Sequence, residues 1–313
     1  MDRRRAFAAF FLIIATGASR SSGELPIREA HWIAPDRRLT ALMWEPAECL
    51  TLPESQTEHD AWLIGRTAFR APLLLGGQAA RAGLSCASCH RNGRGNPNFQ
   101  FPGLSGTAGS ADVTSSLMSS HRDNGVFDPK RIPDLALDLP KVSRLPGSDD
   151  LRVFIEGLIT QEFDGAEPPP RVLEGLAVYV RSMGSAGCEP DAARPVTLSG
   201  MIDDAGGASE AALIALKLHD RETARLMIGA ARSALGRIDE RFSLLGASGS
   251  HTRLMKLDQK LADLQARFDA GKGNSDALIS AWQSNLRENA PALFRAAPNS
   301  LFNPDRLEKA LRD

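Results

Sequence analysis

From Ala224 onward, apolar residues recur in alternating steps of four and three: Ala224, Ile228, Ala231, Leu235, Ile238, Phe242 and Leu245. After Gly246 to Ser250 the alternation resumes with Leu254, Leu257, Leu261, Leu264 and Phe268. Such spacing keeps an apolar stripe on one side of a helix, whereas a strand would need a period of two. The pattern predicts two long helices packed along that seam as an antiparallel hairpin. A third helix, about Asn274 to Leu293, carries Leu278, Ala281, Trp282 and Leu286. No strand pattern competes, and no repeat of 20–50 residues stands out, so the expected class is all-α.

Upstream, the helical signals are shorter. One helix is expected from about Glu58 to Phe69, ended by Pro72. A short helix is expected over Asp112 to Ser120. Pro129, Pro133, Pro140 and Pro146 then call for extended chain. Two more helices follow. Asp149 to Gln161 carries Leu151, Phe154, Ile155, Leu158 and Ile159 on its apolar face. Arg171 to Met183 starts after Pro168 to Pro170 and carries Val172, Leu173, Leu176, Val180 and Met183. Gly184, Gly187 and Pro190 end this unit. The expected division is a signal peptide over 1–19, an irregular wrapping segment with Trp32 and Trp44 over 20–57, a compact domain over 58–189, and a helical bundle over 190–313.

At the N-terminus, Arg3, Arg4 and Arg5 precede an apolar run from Ala6 to Ala15 and the small residues Thr16, Gly17, Ala18 and Ser19. This order is that of a secretory signal, with cleavage expected near Ala18 or Ser19. The apolar run falls short of the roughly 20 residues a spanning helix needs, so a retained anchor is the weaker reading. The expected location is the periplasm, with no membrane insertion after cleavage. The formal net charge of -1 gives no global reason to expect a nucleic-acid partner. A 6% aromatic content with one tyrosine, Tyr179, gives little support to sugar binding or base stacking.

Chemistry concentrates in Cys86-Ala87-Ser88-Cys89-His90. Two thiols two residues apart can reach the two vinyl groups of a haem, and the next histidine then lies beneath the iron. The small Ala87 and Ser88 let the macrocycle approach the backbone. A thioredoxin-like pair would need a βαβ setting, which the pattern lacks. A zinc site would need a second Cys or His pair, and neither Cys49 nor Cys188 has a near neighbour to make one. The motif therefore calls for one covalently bound haem c, with Cys86 and Cys89 as attachment points and His90 as proximal iron ligand. Cys49 and Cys188 remain, and in an oxidising compartment a leftover pair favours a disulfide.

Leu63-Ile64-Gly65-Arg66-Thr67-Ala68-Phe69-Arg70-Ala71-Pro72-Leu73, followed by Leu84-Ser85-Cys86-Ala87-Ser88-Cys89-His90, resembles the bacterial di-haem cytochrome c peroxidase family. Glu162-Phe163-Asp164-Gly165 and Leu176-Ala177-Val178-Tyr179-Val180 are similar to the closing helices of such domains. The resemblance covers roughly residues 58 to 184 and is specific only at the haem motif. It implies a cytochrome c-like haem domain ahead of the helical bundle. It also implies that first and last helices pack together, which would bring Cys49 and Cys188 close enough to bond. The chain departs from the family in having one CxxCH, so a second covalent haem is excluded within it.

What lies opposite His90 decides the activity: methionine gives an electron carrier, while an open position permits peroxide chemistry. In the resembling domains a methionine often lies on the helix equivalent to Asp149–Gln161, where this chain has Leu158 and Ile159. Met118 is the candidate distal ligand and His121 the alternative; three apart, they would share a face if helical. Met183 reads as core, and His31, His59, His219 and His251 as surface or helix residues. The expected function is single-electron transfer with a redox protein partner, possible docking falling to the C-terminal helices. The alternatives are a peroxidase-like enzyme with an open iron site and a haem-based sensor.

Overall fold

The computed structural model describes residues 25–184, 186, 188–189, 192–243, 249–270 and 275–312. The expected signal segment, Gly187, Pro190, Leu245 and the start of the Gly246–Ser250 turn lie outside them. The described chain is predominantly helical, as the apolar periodicity requires, with only two-stranded pairings of two or three residues.

The wrapping segment contains α1 (Arg38–Met43) and β1 (Trp44–Pro46). Helix α2 (Gln56–Phe69) follows, its N-terminus capped by the Ser55 hydroxyl, which accepts from the Glu58 N–H at 3.3 Å. Two short helices, α3 (Gly77–Arg81) and α4 (Cys86–Cys89), lead into a loop region carrying β2 (Ser110–Ala111) and β3 (Lys130–Arg131). Helix α5 (Asp150–Gly157) runs on into a wider π-helical turn, Leu158–Glu162. Helix α6 (Pro170–Ser182) starts on its proline, and β4 (Ala193–Pro195) pairs antiparallel with β1. The C-terminal helices are α7 (Leu198–Lys217), α8 (Arg221–Phe242), α9 (Gly249–Asp269), α10 (Ser275–Ala296) and α11 (Pro304–Arg312).

Helices α2 and α6 cross almost backbone to backbone. A methyl group placed on Gly65 would stand 1.8 Å from the Gly175 carbonyl oxygen. Only two glycines permit that approach. On the same side Cys49 and Cys188 stand at disulfide distance, with Cα atoms 5.3 Å apart. The β1–β4 pairing lies beside them, so both flanks of the α2–α6 pair are joined.

In the C-terminal region every described seam residue from Ala224 to Leu264 is buried, and Phe268 packs against them half-buried. The third helix keeps part of its expected face. Trp282 and Leu286 are buried as expected, but Leu278 is 40% exposed and Ala281 is exposed, and Ile279 and Leu293 complete the buried face. Helix α7 was not expected at all, yet it lies against both α8 and α2. Its turn into α8 passes through His219 at φ 57°, and Asp220 caps α8 by accepting from the Thr223 N–H at 3.0 Å. The core runs without a break from α2 and α6 into α7, α8 and α9. A smaller core joins Ile27, Ile33 and Leu42 of the wrapping segment to Leu301 and Leu307 near the C-terminus.

The expected helix over Asp112 to Ser120 does not form. The Asp112 carboxylate accepts from the Thr114 N–H and hydroxyl at 3.0 and 2.7 Å, and from the Asp128 N–H at 3.0 Å. Short polar side chains that satisfy nearby backbone offer it an alternative to helix.

Candidate functional site

Cys86, Cys89 and His90 line a cavity of about 360 Å3. Helix α4 is too short to stand by itself, and neighbouring side chains hold it. The Ser88 hydroxyl accepts from the Ser85 N–H at 3.0 Å, and the Asn96 amide donates to the Ser88 carbonyl at 2.8 Å. The His90 N–H donates to the Cys86 carbonyl at 2.8 Å, so the histidine leaves the helix at a fixed angle.

The ring of His90 is set by one bond. Its Nδ1 lies 3.0 Å from the Pro133 carbonyl oxygen. A carbonyl only accepts, so Nδ1 carries the proton and Nε2 presents a lone pair. The carbonyl is itself positioned by the loop across from it. Arg94 Nε lies 2.6 Å from Asp134 Oδ2, and the Leu135 N–H donates to the Gly93 carbonyl at 2.9 Å. Burial pushes the His90 pKa down to about 4, so the imidazole is neutral at ordinary pH. A neutral imidazole with its second nitrogen oriented by a carbonyl is the form that ligates a metal.

Burial also pushes both thiols up, Cys86 and Cys89 each to about 12. They are therefore thiols, not the thiolates that disulfide exchange requires. Among the described residues no group of three or more His, Cys, Asp or Glu side chains is placed to hold a metal ion. One part of the wall is apolar: Phe69 from α2, Leu84 and Leu104 from the loops, Ile155 and Leu158 from the α5 segment, and Leu176 and Val180 from α6. Phe154 is exposed and Leu158 half-buried, and both face this opening rather than the core.

The structure brings together Cys86, Cys89 and His90 but neither candidate distal ligand. Met118 is buried at 2% exposure among core side chains and does not line the cavity. The His121 side chain is 54% exposed, with Nε2 3.8 Å from Asp164 Oδ1. The reason is local. Ser119 Oγ donates to the Gln161 carbonyl and Ser120 N–H to Asp164, which pins this segment as a turn, not a helix. Met183 is core, as expected: it packs on Gly93, where a methyl group would meet its sulfur at 2.5 Å. Among the described lining residues there is no methionine, and His90 is the sole histidine.

Five acidic side chains line the cavity; Asp112, Asp128, Asp134 and Asp138 are tied to a backbone N–H or a neighbouring cation, and the fifth is Glu162. Glu162 closes the π-helical turn and is 8% exposed, and its Oε1 lies 3.5 Å from Arg122 Nη1. Its other oxygen, Oε2, is buried with no hydrogen-bond partner among the described residues. Burial raises its pKa, against the nearby charges of Arg122 and Lys141. Sequence reasoning missed Pro133, which acts through its backbone, and Glu162. The one available signal for Glu162 was a carboxylate three residues after the apolar Leu158–Ile159 pair.

Beyond the cavity, a buried ionic cluster joins the site to the C-terminal helices. Glu48 accepts from Tyr179 OH at 2.5 Å, from Arg70 at 3.0 Å and from Arg66 at 3.1 Å. Arg70 also donates to Asn92 Oδ1 at 2.9 Å, two residues after His90, while Arg66 reaches Asp204 of α7 at 3.0 Å. Burial would raise the Glu48 pKa, but the Arg70 and Arg66 charges overturn that and hold it at about 2.

Comparison with protein-family models, with curated proteins and with solved structures finds no match in any of the three. Among the described residues no helix is long and apolar enough to cross a membrane.

Proposed function

We propose that this chain is an exported c-type haem protein of the kind its motif resembles, binding one haem through Cys86 and Cys89. In this reading it exchanges single electrons with a protein partner in the periplasm. The observation that carries it is the His90 ring, whose Nδ1 is held by the Pro133 carbonyl while Cys86 and Cys89 share its apolar cavity. That donor set and that lining fit a haem: two thiols for the vinyl groups, a neutral imidazole for the iron, and hydrocarbon for the macrocycle. When bound, the haem supplies one-electron chemistry, and the chain attaches it, orients its axial nitrogen and excludes water from its faces. Cys49 and Cys188, at disulfide distance, suit an oxidising compartment.

The test is expression of the full chain with a covalent haem-attachment apparatus. A mass gain of one haem that survives denaturation is the expected result, together with a haemochrome spectrum of two saturated thioethers. A colourless chain of unchanged mass would remove the reading.

The lining of the cavity favours a second reading, in which the iron keeps an open position and reacts with peroxide or binds a gas. Neither Met118 nor His121 lines the cavity, and the partnerless Oε2 of Glu162 does. A high-spin ferric spectrum and carbon monoxide binding to the reduced protein would favour it. The weak far-red band of His/Met ligation would instead place a methionine on the iron and support the carrier.

A further inference from the structure

The basic side chains of the cavity are not equivalent. Lys130, Arg131, Lys141 and Arg144 all line it. Two are already neutralised: Lys130 Nζ lies 2.7 Å from Asp128 Oδ1, and Arg131 Nη2 lies 2.5 Å from Asp138 Oδ2. The other two are not. Among the described residues no carboxylate lies within ion-pair distance of Lys141 or Arg144. Arg144 is half-buried, and its Nη1 donates to the Leu135 carbonyl at 2.6 Å. That bond anchors the guanidinium and uses one of its five donors.

Lys141 is exposed and keeps its water, but Arg144 is half-buried, and a cation without a counter-charge on a cavity wall is costly unless something anionic joins it. Lys141 acts on Glu162 of the α5 side, where its charge opposes the burial that raises that carboxyl's pKa. Burial lowers the Arg144 pKa, with no acid opposing it. Pro140 and Pro146 flank the pair and restrict the backbone that presents it.

A haem is an apolar disc with two carboxylates on the edge away from its vinyl groups. Bonding the vinyl edge to Cys86 and Cys89 obliges those carboxylates to find partners elsewhere on the rim. We propose that Lys141 and Arg144 bind the two haem carboxylates, Arg144 through its remaining guanidinium N–H groups and Lys141 as a point charge. This rests on the haem reading above and deepens it. The planar fork of Arg144 suits a carboxylate better than a lysine would, so most of the anchoring falls to it. The same cations could instead meet acidic side chains of a docking protein, and the measurement below separates the two because it uses the isolated chain.

The full chain is expressed with covalent haem as wild type, Lys141→Met, Arg144→Met, Arg144→Lys and Lys130→Gln, and haem content per chain is measured first. Resonance Raman spectra then read the bending mode of the haem carboxylates, and voltammetry reads the midpoint potential. Arg144→Met and Lys141→Met are each expected to shift that mode and to lower the potential, since a positive charge near the iron favours the reduced state. Arg144→Lys should restore part of both. Lys130→Gln removes an already paired cation and should leave the mode in place. Full haem content with the mode unchanged in Lys141→Met and Arg144→Met would overturn the assignment and leave the haem reading standing. A wild-type chain without covalent haem would overturn both. If Arg144→Met does not load haem, Arg144→Lys and Lys141→Met carry the same readout.

Discussion

The loop-rich stretch from Pro72 to Asp149 and the C-terminal helices solve opposite problems. Helices α8 and α9 exist to close a seam, and their described seam residues from Ala224 to Leu264 leave no room between them. The stretch around Cys86 and His90 must instead keep about 360 Å3 open. A packed core supports itself through burial, at roughly 25 cal/mol for each Å2 of apolar surface removed from water. A cavity forgoes that contribution on its inner face. Here the compensation is polar and individually placed: Asn96 on the Ser88 carbonyl, Arg94 on Asp134, Asp112 on the Asp128 N–H. One region is held by a repeating pattern and the other by single bonds, each without a substitute. The Glu48 cluster is where the two are tied, since it touches α2, α6, the loop after His90 and, through Arg66, α7.

The largest effect separates the regions altogether. In the double variant Cys86→Ser, Cys89→Ser, haem that survives denaturation should disappear entirely, while helical far-UV dichroism is largely kept. Loss of most helicity would show that the C-terminal helices depend on the cavity region, against the division drawn above. Next comes Glu48→Gln, which leaves Arg66 and Arg70 facing a neutral partner in a buried setting. A loss of about 3–5 kcal/mol is expected from denaturant unfolding. The same carboxylate sets an acid limit. Its folded pKa, about 2, lies below an unfolded value near 4.5, so its contribution is complete above that upper value and is lost as pH falls toward 2. A wild-type stability flat from pH 5 to pH 2 would contradict this.

Within the seam, Leu261→Ala removes a fully buried side chain from α9. A loss of about 3 kcal/mol is expected, with haem content and midpoint potential unchanged. A potential that moves with this variant would mean the seam is coupled to the site. Gly65→Ala should cost at least as much, about 3 kcal/mol or more, because its methyl group would stand 1.8 Å from a backbone oxygen and α2 and α6 must move apart to admit it. It is the more informative of the two. A crossing that widens there displaces the Phe69 and Val180 walls of the cavity, so midpoint potential or haem uptake should change with stability.

The same contrast explains what was legible in the sequence. The α8–α9 seam was, because its signal repeats over many residues. That Cys86, Cys89 and His90 share one cavity was, because residues this close in sequence stay close in space. Helix α7 was not, because its buried face is built from Ala205, Ala208, Ala211, Ala212 and Ala215 around Gly206 and Gly207. Small residues bury by close approach and leave a weak apolar stripe. On α10 Trp282 and Leu286 were legible, but at the helix start Leu278 and Ile279 compete for one face and the isoleucine takes it. Met118 and His121 were paired on the premise of a local helix, which Asp112, Ser119 and Asp164 prevent. Lys141 and Arg144 read only as charges in a proline-rich loop. Among the described residues no carboxylate lies within ion-pair distance of either, and no one-dimensional pattern shows that.

Glu162 gives the smallest expected effect and bears most directly on the comparison, because it is a polar group held in the cavity wall without full satisfaction. Burial raises its pKa above the ordinary carboxylate value, so ionising it opposes folding. The sign is opposite to that of Glu48: stability should fall slightly as pH rises through the unfolded value, until the folded group has also ionised. Glu162→Gln keeps the shape and removes the charge, at the loss of the 3.5 Å contact with Arg122. The expected change at neutral pH is within about 1 kcal/mol and in the stabilising direction, since a partnerless carboxylate oxygen is replaced by a neutral amide. A clear destabilisation would show that the Arg122 pair holds this wall, and the carboxylate would then belong to the scaffold. Unchanged or increased stability, combined with a shift in carbon monoxide affinity of the reduced haem protein, would place Glu162 with the reactive side of the cavity.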